Sequence, residues 1–112
     1  MAKIAGKVIA TKYILTGEFF NAEAALKMGL VTDIFKKETF KEEVLKLAKK
    51  ISDKSVTSLI TAKKAIKKSE ELGLTEGMKF ERSVFLPLFN TAAVKEGVGA
   101  FRAKRKADFS KL

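Results

Sequence analysis

Apolar residues recur at helical spacing along most of the chain. Near the N-terminus, Ile4, Val8, Thr11 and Leu15 share one helical face, and Gly17 follows where a left-handed C-terminal cap is favoured. This spacing predicts a first helix that ends near Thr16. A longer stripe follows the capping-box pattern Thr39-Phe40-Lys41-Glu42 and predicts an amphipathic helix; it consists of Phe40, Val44, Leu47, Ala48 and Ile51.

Capping residues and glycines predict where the other helices begin and end. Asn21 precedes a short helix over residues 22–28, which Gly29 terminates. Ser55 caps a helix that ends before Gly73, and Thr75 caps a fifth helix. A final helix is predicted from residue 94 to about residue 106. The inward residues of the two middle helices are Leu59, Ala62 and Ile66, and Met78, Val84, Phe85, Leu88 and Phe89.

The remaining segments add little regular structure. Residues 30–35 are apolar and predict an extended stretch, but one strand cannot form a sheet alone. Pro87 lies inside the fifth helical pattern and crowds the carbonyl of Ser83, which predicts a kink. With 112 residues and no internal repeat, the chain is predicted to be one mostly α domain over residues 1–112, with about six helices and at most one short strand.

The composition excludes several kinds of chemistry. The sequence has no histidine and no cysteine, so disulfides, thiolate nucleophiles, cysteine zinc sites and a histidine base are all excluded. Six carboxylates are candidates for acid and base roles; they are Glu18, Glu23, Asp33, Glu76, Glu81 and Glu96. Most lie at predicted helix starts or beside lysines, where helix-dipole or ion-pair roles suffice, so no catalytic or metal residue is predicted.

A formal net charge of +10 favours an anionic partner. One basic cluster comprises Lys63, Lys64, Lys67 and Lys68, and a second comprises Arg102, Lys104, Arg105 and Lys106. Each cluster can be a solvated helix face or can bind phosphate. No nucleic-acid-binding motif is present, so nucleic acid is not an expected partner. Glycines at 73–77 and 96–99 lack the strand–loop–helix setting of a nucleotide motif and are interpreted as helix ends or close packing.

Several short motifs, taken in order, resemble the enoyl-CoA hydratase (crotonase) family. They are Gly6-Lys7, Tyr13-Ile14-Leu15-Thr16-Gly17, Ala22-Glu23-Ala24-Ala25, Gly29-Leu30-Val31, Ala62-Lys63-Lys64-Ala65-Ile66, Glu96-Gly97, Ala100-Phe101 and Lys104-Arg105-Lys106. The resemblance covers residues 3 to 109 and corresponds to the helical, oligomer-forming C-terminal part of that family. The βα spiral that carries the oxyanion hole and the two catalytic glutamates precedes this region.

The resemblance also implies a ligand site. Phe85 and Lys104 stand where family members line the CoA site, commonly reaching a pocket of a neighbouring subunit. Core packing is the alternative role for Phe85, and solvation is the alternative for Lys104. Acyl-CoA would be a substrate or ligand, with no metal or other cofactor. Ala92-Ala93 replaces an acidic residue of the family, and Lys12 replaces a frequent glutamate.

Two functions follow as hypotheses. The first is a C-terminal domain of an enoyl-CoA hydratase-like protein of fatty-acid metabolism, not catalytic alone, which contributes oligomer contacts and part of the CoA site. The second is a non-catalytic structural subunit, a pseudoenzyme, within a larger assembly. A piece of a longer protein is a third reading of the sequence. Expected partners are a crotonase N-terminal half or other subunits in a trimer-based homo-oligomer. The expected location is the mitochondrial matrix or bacterial cytoplasm, since no targeting or membrane-spanning segment is found in the chain.

Overall fold

The computed structural model describes residues 1–112 and contains seven α-helices, one 3-10 helix and no strand. The helices are α1 (Ala2–Ala5), α2 (Lys7–Thr16), α3 (Ala22–Lys27), α4 (Phe40–Ser52), α5 (Val56–Ser69), α6 (Leu74–Phe85), a 3-10 helix (Leu86–Asn90) and α7 (Ala92–Arg102). The predicted mostly α fold is confirmed. The chain divides into two compact units, residues 1–44 and 45–112; the single domain expected from the sequence stays a prediction.

Unit 1 contains α1 to α3 and two aromatic pairs. Gly6, with φ 83°, separates α1 from α2. The prediction of one continuous helix ending near Thr16 is therefore wrong, because two helices occupy this segment. Gly17 adopts the predicted left-handed cap with φ 66°, and the Asn21 side chain accepts a hydrogen bond from the Ala24 amide at 2.9 Å. After α3, residues 30–35 form no strand.

The two aromatic pairs of unit 1 lie on either side of α3 in the sequence. Tyr13 and Phe20 make an edge contact at 5.1 Å between ring centroids, and Phe35 and Phe40 make one at 6.4 Å. Such pairs favour tilted rings because the positive edge of one ring meets the negative face of the other. They hold the chain on both sides of α3 with few buried aliphatic residues.

Unit 2 is built from α5, α6, the 3-10 helix and α7, with neighbouring helices in contact. Ser55 caps α5 as predicted, accepting from the Ser58 amide at 3.3 Å. Helix α5 ends at Ser69, four residues before Gly73, because Ser69 and Glu70 lead into a turn closed by hydrogen bonds to the Lys67 and Lys68 carbonyls.

The predicted starts of the last two helices are wrong. Gly73, not Thr75, precedes α6, so Thr75 lies inside the first helical turn. Thr91 caps α7 through its hydroxyl, which accepts from the Val94 amide at 3.3 Å, and α7 ends at Arg102 rather than near residue 106. Between these helices, Pro87 does not kink α6. Instead, α6 stops at Phe85 and the chain continues as a 3-10 helix, in which Pro87 is the second residue and its missing amide donor is not required.

Little of the apolar surface is buried within the chain. The buried apolar residues are Ala10, Ala25, Leu88, Ala93 and Ala100. The predicted apolar stripe of α4 is amphipathic as expected, yet Phe40, Leu47 and Ile51 are 56%, 44% and 50% exposed. Ile66, from the predicted inward face of α5, is exposed as well. The sequence pattern therefore marks faces that have no partner within this chain. None of the helices combines the length and hydrophobicity needed to cross a bilayer.

Candidate functional site

Lys104 occupies the turn directly after α7 in an unusual backbone conformation. Its φ is 52°, and it is the only residue other than glycine with positive φ. The Arg105 amide donates to the Ala100 carbonyl at 3.0 Å, and the Lys104 amide donates to the Phe101 carbonyl at 3.2 Å. This pair of bonds defines a Schellman turn with Lys104 at the left-handed position. A left-handed lysine costs on the order of 1 kcal/mol or more, and such residues cluster at functional sites.

A carboxylate clamps the chain that follows Lys104. The Arg105 guanidinium donates two hydrogen bonds to Glu96, Nη1 to Oε1 at 2.6 Å and Nη2 to Oε2 at 2.8 Å. The Asp108 amide also donates to Glu96 Oε1, at 2.9 Å. These bonds, Arg105 first, lower the pKa of Glu96 to about 2. The Phe109 ring also lies close to α7. A Cβ atom placed at Gly97 would be 3.8 Å from its Cζ atom.

A second carboxylate holds the same segment to the end of α4. Asp53 accepts hydrogen bonds from Lys49 and from Lys106, the latter at 2.9 Å. Together Lys49 and Lys106 lower the pKa of Asp53 to about 2. Lys106 lies 53 residues beyond Asp53 in the sequence, so this contact ties the C-terminal segment to a distant part of unit 2.

The predicted C-terminal basic cluster therefore divides into two kinds of residue. Arg105 and Lys106 are committed to intrachain carboxylates, whereas Arg102 and Lys104 are exposed and take part in no ion pair. An exposed ammonium with no carboxylate partner is free to bind an anion from solution. Of the predicted site residues, Lys104 has the geometry that such a role requires.

Phe85, the other predicted site residue, lies at the last position of α6. Its side chain is 52% exposed, so it is not a core residue of this chain, and its ring meets Phe89 edge-on at 5.3 Å. Both rings line a mainly apolar cavity of about 420 Å³ together with Leu88 and Val94. Glu81 and Thr61 add polar atoms to the lining. The cavity offers an aromatic and aliphatic surface suited to a non-polar group.

The other candidate groups fall into structural roles or stay on the surface. Glu18 pairs with Lys12 at 3.2 Å, which supplies a charge partner for Lys12 and raises its pKa. Glu76 pairs with Lys79 at 2.8 Å. Asp33 accepts from the Thr32 hydroxyl. Glu23 lies in the first turn of α3. No group of carboxylates is arranged to hold a metal ion.

The other basic cluster and the glycine motifs lie on helices. On α5, Lys68 donates to Glu71 at 2.6 Å, and Lys63 remains exposed on the helix surface. Gly77, Gly97 and Gly99 lie inside α6 and α7 rather than in loops. These three glycines are therefore helix-interior residues and form no loop.

The two clamps on the C-terminal segment were missed by sequence reasoning. Glu96 was considered as an isolated carboxylate and Arg105 as a phosphate ligand, although they form one ion pair. Their separation of nine residues crosses the end of α7, where no helical spacing rule applies. Opposite charge was the only sequence signal, and it is shared by many other pairs in this chain.

Comparisons with known proteins place these features in a family. The family model for enoyl-CoA hydratase/isomerase matches residues 1–111. A probable enoyl-CoA hydratase of Rhizobium meliloti is 42% identical over 97% of this chain, and the mitochondrial enoyl-CoA hydratase of Pongo abelii is 38% identical over 97%. The crystal structure of an enoyl-CoA hydratase subunit I from Geobacillus kaustophilus matches 99% of this chain with a TM-score of 0.93 and 33% identity.

The chain spans only part of these proteins. It covers 42% of the Rhizobium relative, 38% of the Pongo relative and 43% of the Geobacillus chain. The match nevertheless extends over almost every residue described above, including both basic clusters and Phe85. The chain belongs to the enoyl-CoA hydratase/isomerase family.

Proposed function

We propose that this chain is the helical C-terminal part of an enoyl-CoA hydratase of fatty-acid metabolism, which makes subunit contacts and supplies part of the CoA site. The observation that carries the proposal is Lys104, an exposed and unpaired cation held in a defined turn. CoA is polyanionic, and a lysine binds phosphate as a point charge. The relatives are named as enoyl-CoA hydratases, and these names are the reason for proposing acyl-CoA as the ligand.

The exposed surface supports a role inside an assembly. A compact monomer of 12.3 kDa exposes about 6,100 Å². The chain exposes 9564 Å², and this surface includes Phe19 at 101% and Val8 at 85%. The excess, about 3,500 Å², is larger than the roughly 800 Å² that one partner buries in a standard interface. We therefore propose that a hydratase N-terminal part and further copies of the protein cover these faces.

Phe85 would supply an apolar contact to the same ligand from its own cavity, whose lining does not include Lys104. Its ring and that of Phe89 form an apolar surface beside a cavity, and such a surface can receive a flat or aliphatic group of the ligand. Lys104 would bind the charged part of the ligand, and Phe85 would contact an apolar part. Acyl-CoA is the only small ligand proposed, without a metal or other cofactor. The compartment would be the mitochondrial matrix or the bacterial cytoplasm; one relative is named as mitochondrial and another is from a bacterium.

Complementation tests the catalytic context. The chain is mixed with the N-terminal part of the Rhizobium relative, and hydration of crotonyl-CoA is followed. We expect activity from the mixture and none from either part alone. Lys104→Ala in the chain should raise KM for crotonyl-CoA by about threefold to fivefold, as expected for one exposed charged contact. Lys63→Ala, which removes an exposed lysine from α5, is the matched control and should leave KM unchanged.

A second function is favoured by the exposed apolar faces alone. A non-catalytic structural subunit needs those faces but needs neither Lys104 nor Phe85. A folded complex that forms with partners yet neither hydrates crotonyl-CoA nor binds CoA would support this second function and refute the first. In either case we expect the chain alone to self-associate in sedimentation, and a clean monomer would contradict the proposed assembly role.

A further inference from the structure

We propose that Glu96 is the positioning residue for Lys104: its clamp on Arg105 and Asp108 holds the turn that presents the lysine ammonium. The inference deepens the proposed function and rests on it for the ligand. It concerns a contact within this chain, however, so the state of the turn can be measured without any ligand.

The need for a clamp follows from a comparison of two helix ends in the chain. At the end of α3, the Leu30 amide bonds the Ala25 carbonyl and the Gly29 amide bonds the Leu26 carbonyl, and Gly29 has φ 71°. At the end of α7 the same pair of bonds closes around Lys104. Glycine enters the left-handed conformation at little cost, whereas lysine does not. The turn at Lys104 therefore needs a contribution that the turn at Gly29 does not.

Glu96 supplies that contribution from within α7. Its two carboxylate oxygens accept from both terminal nitrogens of Arg105, and one of them also accepts from the Asp108 amide. Arg105 follows Lys104 directly, so fixing its side chain and amide restricts the rotation of the preceding residue. The Glu96 side chain is 21% exposed and the Arg105 side chain is 50% exposed, so the carboxylate is the less exposed partner of this surface pair.

Positioning and a simple charge effect predict changes of opposite sign in the affinity for an anion. Glu96 carries a negative charge in the same unit as Lys104. If it acted through charge alone, its removal would strengthen the binding of an anion. If it positions Lys104, removal releases the turn and weakens the binding.

The test compares Glu96→Gln with Glu76→Gln in the full chain. Each substitution removes one negative charge and one exposed ion pair of unit 2, but Glu76 pairs within α6 and holds no left-handed turn. Two quantities are measured: hydrogen exchange of the Arg105 amide, and the Kd for CoA by titration calorimetry. We expect Glu96→Gln to accelerate the exchange and to raise Kd by about threefold to fivefold. Glu76→Gln should leave the exchange unchanged and Kd equal or slightly lower.

A second variant tests the same pair in case Glu96→Gln does not fold. Arg105→Lys keeps both charges but removes the bidentate fork, so it should shift the exchange and Kd in the same direction as Glu96→Gln. In a Lys104→Ala background, Glu96→Gln should no longer change Kd, because the positioned group is gone.

The outcomes separate this inference from the proposed function. Unchanged Arg105 exchange in Glu96→Gln overturns the positioning role, whatever happens to CoA. A Kd that falls in Glu96→Gln, as in the Glu76→Gln control, overturns it too. If Lys104→Ala leaves Kd unchanged, the CoA role of Lys104 is refuted, while the exchange measurement still decides whether Glu96 holds the turn.

Discussion

Lys104 has a backbone conformation that glycine would adopt with less strain. Relief of the left-handed strain in Lys104→Gly is worth about 1 to 2 kcal/mol. The greater freedom of glycine in the unfolded chain opposes this gain by about 0.4 to 1 kcal/mol. The net effect is a stabilisation of roughly 0.5 to 1 kcal/mol, which raises Tm by about 5 °C in a domain of this size. Because the ammonium is lost, the same variant should bind CoA more weakly.

Thermal unfolding by circular dichroism and CoA titration on the same samples check this prediction. Ala103→Gly is the matched control, since Ala103 precedes Lys104 and has an ordinary φ of −81°. Glycine there loses entropy without relieving strain, and we expect a destabilisation of about 0.5 to 1 kcal/mol. Opposite signs at adjacent positions would support the assignment of strain to Lys104. A lower Tm for Lys104→Gly than for the unsubstituted chain would refute it.

Three further predictions concern the supports of unit 2. Thr91→Ala removes the cap of α7 and should lower the free energy of unfolding by about 1 kcal/mol in urea titrations, whereas Thr91→Ser should retain most of it; equal losses would contradict the capping role. Ala100 is 1% exposed, so Ala100→Leu should overpack the site and cost about 1 to 3 kcal/mol, while Ala103→Leu on the exposed surface should change stability little. Asp53 and Glu96 have native pKa values of about 2, below their ordinary 3.8 and 4.5, so their stabilisation is present above those ordinary values and lost as the pH falls toward 2. Amide exchange over residues 104–109 should rise in that acid range first, and a segment still protected at pH 2 would argue against both clamps.

The sequence determined the elements whose signals are local. Helix α4 begins at Phe40 as its capping-box pattern predicts, and Asn21 and Ser55 cap their helices as expected. These signals act over three or four residues, the distance between a cap side chain and the amide it satisfies. Helix starts that lack such a signal are predicted less accurately. Ala92 and Ala93 carry no amphipathic signal, so the predicted start of α7 lies two residues after the observed one.

The apolar stripes show where the local information ends. A stripe such as that of α4 predicts which face of a helix avoids water, but it does not identify the surface that covers it. Phe85 and Ile51 were placed on apolar faces, yet each is about half exposed in this chain. Periodicity is a property of one segment, whereas burial depends on a second surface, which this chain does not supply for these residues.

Only the tertiary structure decided the candidate site. The sequence marks Lys104 as one of four basic residues between positions 102 and 106, and nothing local separates it from Arg105 or Lys106. The fold pairs Arg105 with Glu96 and Lys106 with Asp53, across nine and 53 residues, and leaves Arg102 and Lys104 unpaired, with Lys104 in a left-handed turn. The sequence therefore determined the charge and the helices. The fold determined which charges remain free, because ion pairing depends on distances in space that no spacing along the chain specifies.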